Sequence, residues 1–156
     1  IEFSCQKKLS DSPWYGLFSL TYSEADYTAL DGKERPGSYD QNWLLNLTGG
    51  LKINEFWEIS SRFRFASGSP YTPFNNDGTQ SISLYNTRRL RSTHSLDIRI
   101  DKRWFFSGWT LITYIDVQNV YNRKNSTNIR WDYREQRIDE TSSIGLLPSI
   151  GVSAEF

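Results

Sequence analysis

Asp97 and Asp101 stand close together in the stretch HSLDIRIDKR, with Arg99 between them and Arg103 just after. Paired carboxylates could share general acid–base work. The interleaved arginines favour a different reading, a ladder of ion pairs along one strand face. His94 is the only histidine, at a strand start with no evident catalytic partner, so a multi-histidine metal site is excluded. Cys5 is the only cysteine and cannot form an internal disulfide; it reads as a small apolar strand residue. No phosphate-cradling glycine loop, nucleophile elbow or metal motif is present. We expect no enzyme, no metal and no cofactor. With 18 basic and 18 acidic side chains the net charge is zero, which argues against nucleic acid as a partner.

The elements that carry these residues read as strands. Apolar residues recur at every second position: Ile1, Phe3, Cys5; Phe18, Leu20, Tyr22; Trp43, Leu45, Leu47; Ile59, Phe63, Phe65; Leu96, Ile98, Ile100; Leu111, Ile115, Val117; and Ile150, Val152, Ala154, Phe156. Seven long strands are expected, at 1–9, 14–27, 41–53, 56–66, 93–104, 109–120 and 146–156. Each has roughly the 9–13 residues that cross a bilayer when tilted, whereas globular strands average about 5–6. The connections alternate between short (10–13, 54–55, 105–108) and long (28–40, 67–92, 121–145). A small hairpin is expected in the last long connection, Asn128–Tyr133 with Gln136–Thr141.

Aromatics make up 15% of the chain although mean hydropathy is only −0.60. They gather at strand ends. Trp14, Tyr15, Phe56, Trp57, Trp104, Phe105, Phe106, Trp109 and Phe156 flank the short-turn end; Tyr22, Tyr27, Trp43, Phe65 and Tyr121 lie toward the long loops. Two aromatic girdles fit side chains placed at two membrane–water interfaces. The opposite face is polar, and Arg62 and Arg64 are expected to face Asp97 and Asp101 across strands. The fold expected is therefore all-β: an antiparallel transmembrane β-barrel segment with short periplasmic turns and long extracellular loops. No run of about 18 apolar residues could form a transmembrane helix.

Four stretches carry a family resemblance: GSYDQNWLLNLTGGLKI, SGSPYTPF, YNTRRLRSTHSLDIRIDKRW and YIDVQNVYNRKN, followed by GLLPSIGVSAEF. In this order they resemble the C-terminal barrel portion of TonB-dependent outer-membrane receptors. The resemblance covers essentially all of residues 1–156 and implies part of a barrel of about 22 strands. The plug domain and the earlier strands would lie outside this chain. It implies active uptake of a scarce large solute (iron chelate, cobalamin, oligosaccharide or peptide) at the bacterial outer membrane. Its implied partners are outer-membrane lipid, TonB acting through the plug, the barrel-assembly machinery and a surface lipoprotein. Candidate ligand contacts are Tyr71, Phe74, Asn75, Asn76 and Asp77 in one loop and Arg130, Trp131, Tyr133 and Arg134 in another. Aromatic and arginine side chains suit sugars or anionic chelates; the plain alternative is that they pack the loops together. Ser149, Gly151, Ala154 and Phe156 resemble the assembly signal of such barrels. Rival expectations are a self-contained small barrel with a structural or adhesion role, and a soluble β-sandwich that binds carbohydrate.

Overall fold

A computed structural model describes residues 1–156. The strands are, in chain order, β1 (Glu2–Lys7), β2 (Trp14–Tyr22), β3 (Asp26–Thr28), β4 (Glu34–Pro36), β5 (Trp43–Lys52), β6 (Trp57–Ala66), β7 (Pro70–Tyr71), β8 (Arg88–Arg89), β9 (Thr93–Phe106), β10 (Trp109–Gln118), β11 (Ser126–Asp132), β12 (Arg137–Ser142) and β13 (Leu147–Glu155). A single 3-10 turn, Ile82–Leu84, is the only helical piece. Seven long strands form one antiparallel sheet in the order β1-β2-β5-β6-β9-β10-β13. Each long strand pairs with the next long strand along the chain, so the sheet is a meander. Its two outer strands, β1 and β13, each have one unpaired edge.

The alternating apolar pattern and the loop alternation both appear as expected. Short turns join β1 to β2, β5 to β6 and β9 to β10 at one end of the sheet. The other end carries three long connections, each with a two-stranded ribbon of its own: β3–β4, β7–β8 and β11–β12. The last matches the expected hairpin closely. Most boundaries fall within two residues of expectation, and two of the differences have a clear cause. The segment expected at 14–27 stops at Tyr22, because the chain leaves the sheet to build the separate β3–β4 ribbon. β9 runs on to Phe106, since Trp109 pairs with Phe106 across a two-residue turn. Gly108 takes φ +86° there, a conformation that other residues adopt at a cost.

Burial in this chain is inverted. No hydrophobic residue is buried, whereas Arg35, Asp40, Glu58, Asn86, Asp97, Asp101, Asn119 and Ser126 are. The register explains why. Phe3, Leu20, Leu45, Phe65 and His94 stand in one cross-strand row, and Leu51, Ile59, Ile100, Ile115 and Ile150 in another. Side chains on one face of a strand alternate with those on the other. These rows therefore form a continuous apolar face over all seven strands, and nothing in the chain packs over it. Ile150 stays 82% exposed and Phe3 60%. What holds the sheet is its main-chain ladder, with 62 of 82 main-chain hydrogen bonds inside strands, together with the polar network on the other face.

Candidate functional site

Asp97 sits at the centre of the polar face. Its register partner is Arg62 on β6. One carboxylate oxygen accepts from Arg62 Nε (3.2 Å), Arg62 Nη2 (3.0 Å) and Arg64 Nη2 (3.0 Å). The other accepts from the main-chain amide of Asn119 at 2.9 Å. A carboxylate that is 5% exposed needs such partners, because burying an unpaired charge is costly.

Asp101 departs from expectation. It faces Glu58, not an arginine of β6. Two carboxylates placed opposite each other repel, so each takes a cation from β9. Arg99 Nη2 donates to Asp101 at 2.7 Å, and Arg103 Nη2 to Glu58 at 3.0 Å. Tyr15 donates to the same Glu58, which places Tyr15 on the polar face and not in an aromatic girdle. Lying on its side, Tyr114 covers Gly151 of the neighbouring strand, and Arg99 stacks on the ring 3.8 Å from its centroid. Tyr15 covers Gly50 in the same way.

Toward the long loops, the polar face opens into a cleft of about 570 Å³, whose lining includes Asn46, Arg64, Asp97, Gln118, Asn119 and Asn125. Its rim is built by asparagines. Asn119 (φ 52°) and Asn122 (φ 56°) both occupy the left-handed region, which asparagine tolerates better than most residues. Asn119 bonds the Arg123 main chain through both side-chain atoms, at 2.8 and 3.1 Å. Asn122 Oδ1 accepts from Leu146 N at 2.9 Å. Asn125 imitates a strand partner for His94, accepting from its amide (3.0 Å) and donating to its carbonyl (2.9 Å). The His94 imidazole hydrogen-bonds Tyr121 at 2.6 Å, a structural pairing on the opposite face.

The loops above the cleft are clamped to one another. Arg89 makes an ion pair with Asp40 and donates to the Asp40 carbonyl (2.7 Å) and the Gly68 carbonyl (3.2 Å). Asp40 in turn accepts from the Ala25 amide at 3.0 Å. At Gly68 a Cβ would lie 1.7 Å from the Leu90 carbonyl, so only glycine fits. The left-handed residue Asn86 donates to the Pro36 carbonyl at 2.8 Å and ties the second long loop to the first. Asn86 and Gly68 escape sequence reasoning, because their roles depend on contacts between distant parts of the chain.

The nine ligand candidates divide into two groups. Phe74 and Trp131 meet at 6.2 Å between ring centroids, and Trp131 lies against Gly78. This pairing joins the second long loop to the third. Tyr71 is taken into the β7–β8 ribbon opposite Arg88. Asn75 donates to Thr79 Oγ1 (2.9 Å), and Asp77 accepts from the Thr79 amide (3.0 Å) and hydroxyl (2.6 Å). Arg130 pairs with Asp139 at 2.7 Å. These residues shape the loops. Asn76, Tyr133 and Arg134 project freely, and Tyr133 is 73% exposed. The structure does not gather all nine into one site.

Loop carboxylates are held ionised by their neighbours. The Arg35 guanidinium and the Lys33 amide push the Asp31 pKa well below the usual carboxylate range. The Thr79 hydroxyl and amide lower that of Asp77, and the Arg134 and Glu135 amides lower that of Asp132. Among the C-terminal residues, Ser149, Gly151 and Ala154 lie in β13 opposite Asp116, Tyr114 and Leu111. Phe156 stacks on Trp109, 6.2 Å between centroids. Comparison with protein-family models, curated proteins and solved structures finds no match for the chain.

Proposed function

We propose that the chain is wall and outer-loop structure of a TonB-dependent type outer-membrane transport receptor. The observation that carries the reading is the inverted burial: an unbroken apolar face, with no buried apolar residue, backs a polar face whose buried carboxylates Glu58, Asp97 and Asp101 are paired. In water such a face would expose far more contiguous apolar surface than monomeric proteins tolerate. In a bilayer it needs no cover, while the polar face lines a wet lumen.

The aromatic edges support the same orientation. At the short-turn end Phe106 stacks on Trp109 at 4.5 Å and Lys102 reaches over Trp104 at 3.8 Å, whereas Phe105, opposite Thr110, lies on the polar face with Phe56 against it. Tyr22 meets Trp43 at 4.8 Å at the other end. A lysine on an apolar face between tryptophans is placed to extend its ammonium toward headgroups. The soluble sandwich reading requires a second sheet over the apolar face, and this chain has none. Transport, TonB coupling and the class of solute rest on the resemblance of the motifs.

Bilayer placement is tested with tryptophan fluorescence in vesicles carrying lipids brominated at defined depths. Trp43, Trp57, Trp104 and Trp109 should quench most with shallow bromines. A protein that stays monomeric without detergent, with these residues unquenched, would remove the membrane reading. Transport is tested in cells lacking the gene, by energy-dependent uptake of iron chelates, cobalamin, oligosaccharides and peptides. Deleting residues 72–87 should abolish the affected uptake while the barrel still assembles; intact uptake would take this loop out of the ligand path.

A further inference from the structure

The third long loop has a second concave side. A cleft of about 340 Å³ there is lined by Arg91, Arg123, Lys124, Ser126, Glu140 and Ser142, with no apolar side chain among them. Three cations thus meet one carboxylate. Arg91 and Lys124 are exposed and take part in none of the chain's ion pairs. Arg123 is held in place by neutral acceptors, Asn125 Oδ1 at 3.1 Å and the Ser92 carbonyl at 3.2 Å, which orient its charge without cancelling it. Elsewhere most arginines of the chain are matched by a carboxylate, as at Arg35, Arg62, Arg64, Arg89, Arg99 and Arg103. Ser126 adds an independent observation. It is 6% exposed, and its hydroxyl is buried without a hydrogen-bond partner. Buried polar groups are normally satisfied, so an orphaned hydroxyl beside uncancelled cations points to a missing acceptor.

We propose that this cleft binds a phosphate group. The guanidiniums of Arg91 and Arg123, the Lys124 ammonium and the Ser126 hydroxyl come from two chain segments, at 91 and at 123–126, and offer several donors of different shape, which suits a tetrahedral oxyanion better than a planar carboxylate. The phosphate could be carried by a membrane lipid or by a soluble solute; the chemistry is shared. Glu140 opposes the bound anion and limits its affinity.

The test uses the intact protein in detergent micelles, titrated calorimetrically with inorganic phosphate at constant ionic strength against chloride. Saturable binding is expected, weakened by about tenfold or more in the R91A/K124A double variant. Glu140→Gln should tighten it about threefold, the direction expected when a like charge is removed. Lys8→Ala, an exposed cation at the opposite, short-turn end of the sheet, should leave it unchanged. Circular dichroism confirms that each variant keeps the sheet. A second arm compares nanodiscs containing diphosphoryl lipid A with nanodiscs containing its dephosphorylated form. Retention dependent on the lipid phosphates and competed by free phosphate assigns the site to a lipid; phosphate binding without that retention assigns it to a soluble solute. No saturable phosphate binding, or equal affinity in a folded R91A/K124A protein, overturns the proposal.

Discussion

Asp97 neutralises two arginines on a neighbouring strand and satisfies a main-chain amide, all with two oxygens. That concentration of roles makes it the most sensitive residue of the polar face. Asp97→Ala leaves both guanidiniums uncompensated and the Asn119 amide orphaned. Since Arg62 and Arg64 remain about half exposed (50% and 47%), water screens part of the loss. A destabilisation of about 1–3 kcal/mol is expected. Asp97→Asn keeps an acceptor for the amide and should cost less than Asp97→Ala. Urea unfolding of the detergent-solubilised protein measures both; equal losses would show that the amide bond contributes nothing.

Gly151 poses a related question, because the motif resemblance gives it an assembly role and the geometry gives it a packing one. A Cβ on it would fall 2.3 Å from the Tyr114 hydroxyl. Gly151→Ala should therefore destabilise by about 1–3 kcal/mol through overpacking. In a Tyr114→Ala background the same change should be nearly neutral, a non-additivity that a double-mutant cycle reads directly. Additive effects would return Gly151 to a signalling role alone.

At the scale of elements, the period of two determined most of what was legible. Alternation is local, so Leu96-Asp97-Ile98-Arg99-Ile100-Asp101 declares both faces before any partner is known. Register is not local. Asp101 lies opposite Glu58 in the β6–β9 pair, and those two strands are joined by the long 67–92 connection, which carries no short-turn signal that would declare their register. The loops were least legible. Asn119 and Asn122 are asparagines in the left-handed region, and the Asp40–Arg89 clamp joins residues far apart in sequence. Neither leaves a periodic trace.

The loop tips also carry the pH dependence of this end of the molecule. Asp31, Asp77 and Asp132 have depressed pKa values. A carboxylate whose folded pKa lies below its unfolded value contributes stability that is present above the unfolded value, near 3.8, and is lost as pH falls through the folded one. Acidification below about pH 4 should loosen the turns at 75–79 and 132–136 while the sheet persists. Hydrogen exchange, corrected for the intrinsic rate, should show protection falling at the Thr79, Arg134 and Glu135 amides first. Loss of strand protection at the same pH would place the acid-sensitive groups in the sheet instead.

For the whole molecule, the seven-stranded sheet leaves an unpaired edge on each side, at β1 and at β13. β13 has one edge on β10 and one without a partner, and its outward row Ile150, Val152 and Ala154 continues the apolar face. An exposed strand edge is a template for strand addition, and an assembly machine could use it that way. Phe156 follows this strand and is 99% exposed, with Trp109 as its stacking neighbour. Its contact with the rest of the fold is small, so Phe156→Ala should shift the unfolding midpoint of the assembled protein little. If the side chain is read during assembly, the same change should lower the folded, heat-modifiable fraction in outer-membrane preparations several-fold. On the proposed function, solute affinity per folded molecule should stay the same, because the long connections lie at the opposite end of the strands. Trp109→Ala separates the two roles: it removes the stacking partner but keeps the terminal ring. If both variants lower yield equally, stacking alone is the cause. If only Phe156→Ala does, the ring at position 156 is itself read during assembly, as the proposed function requires.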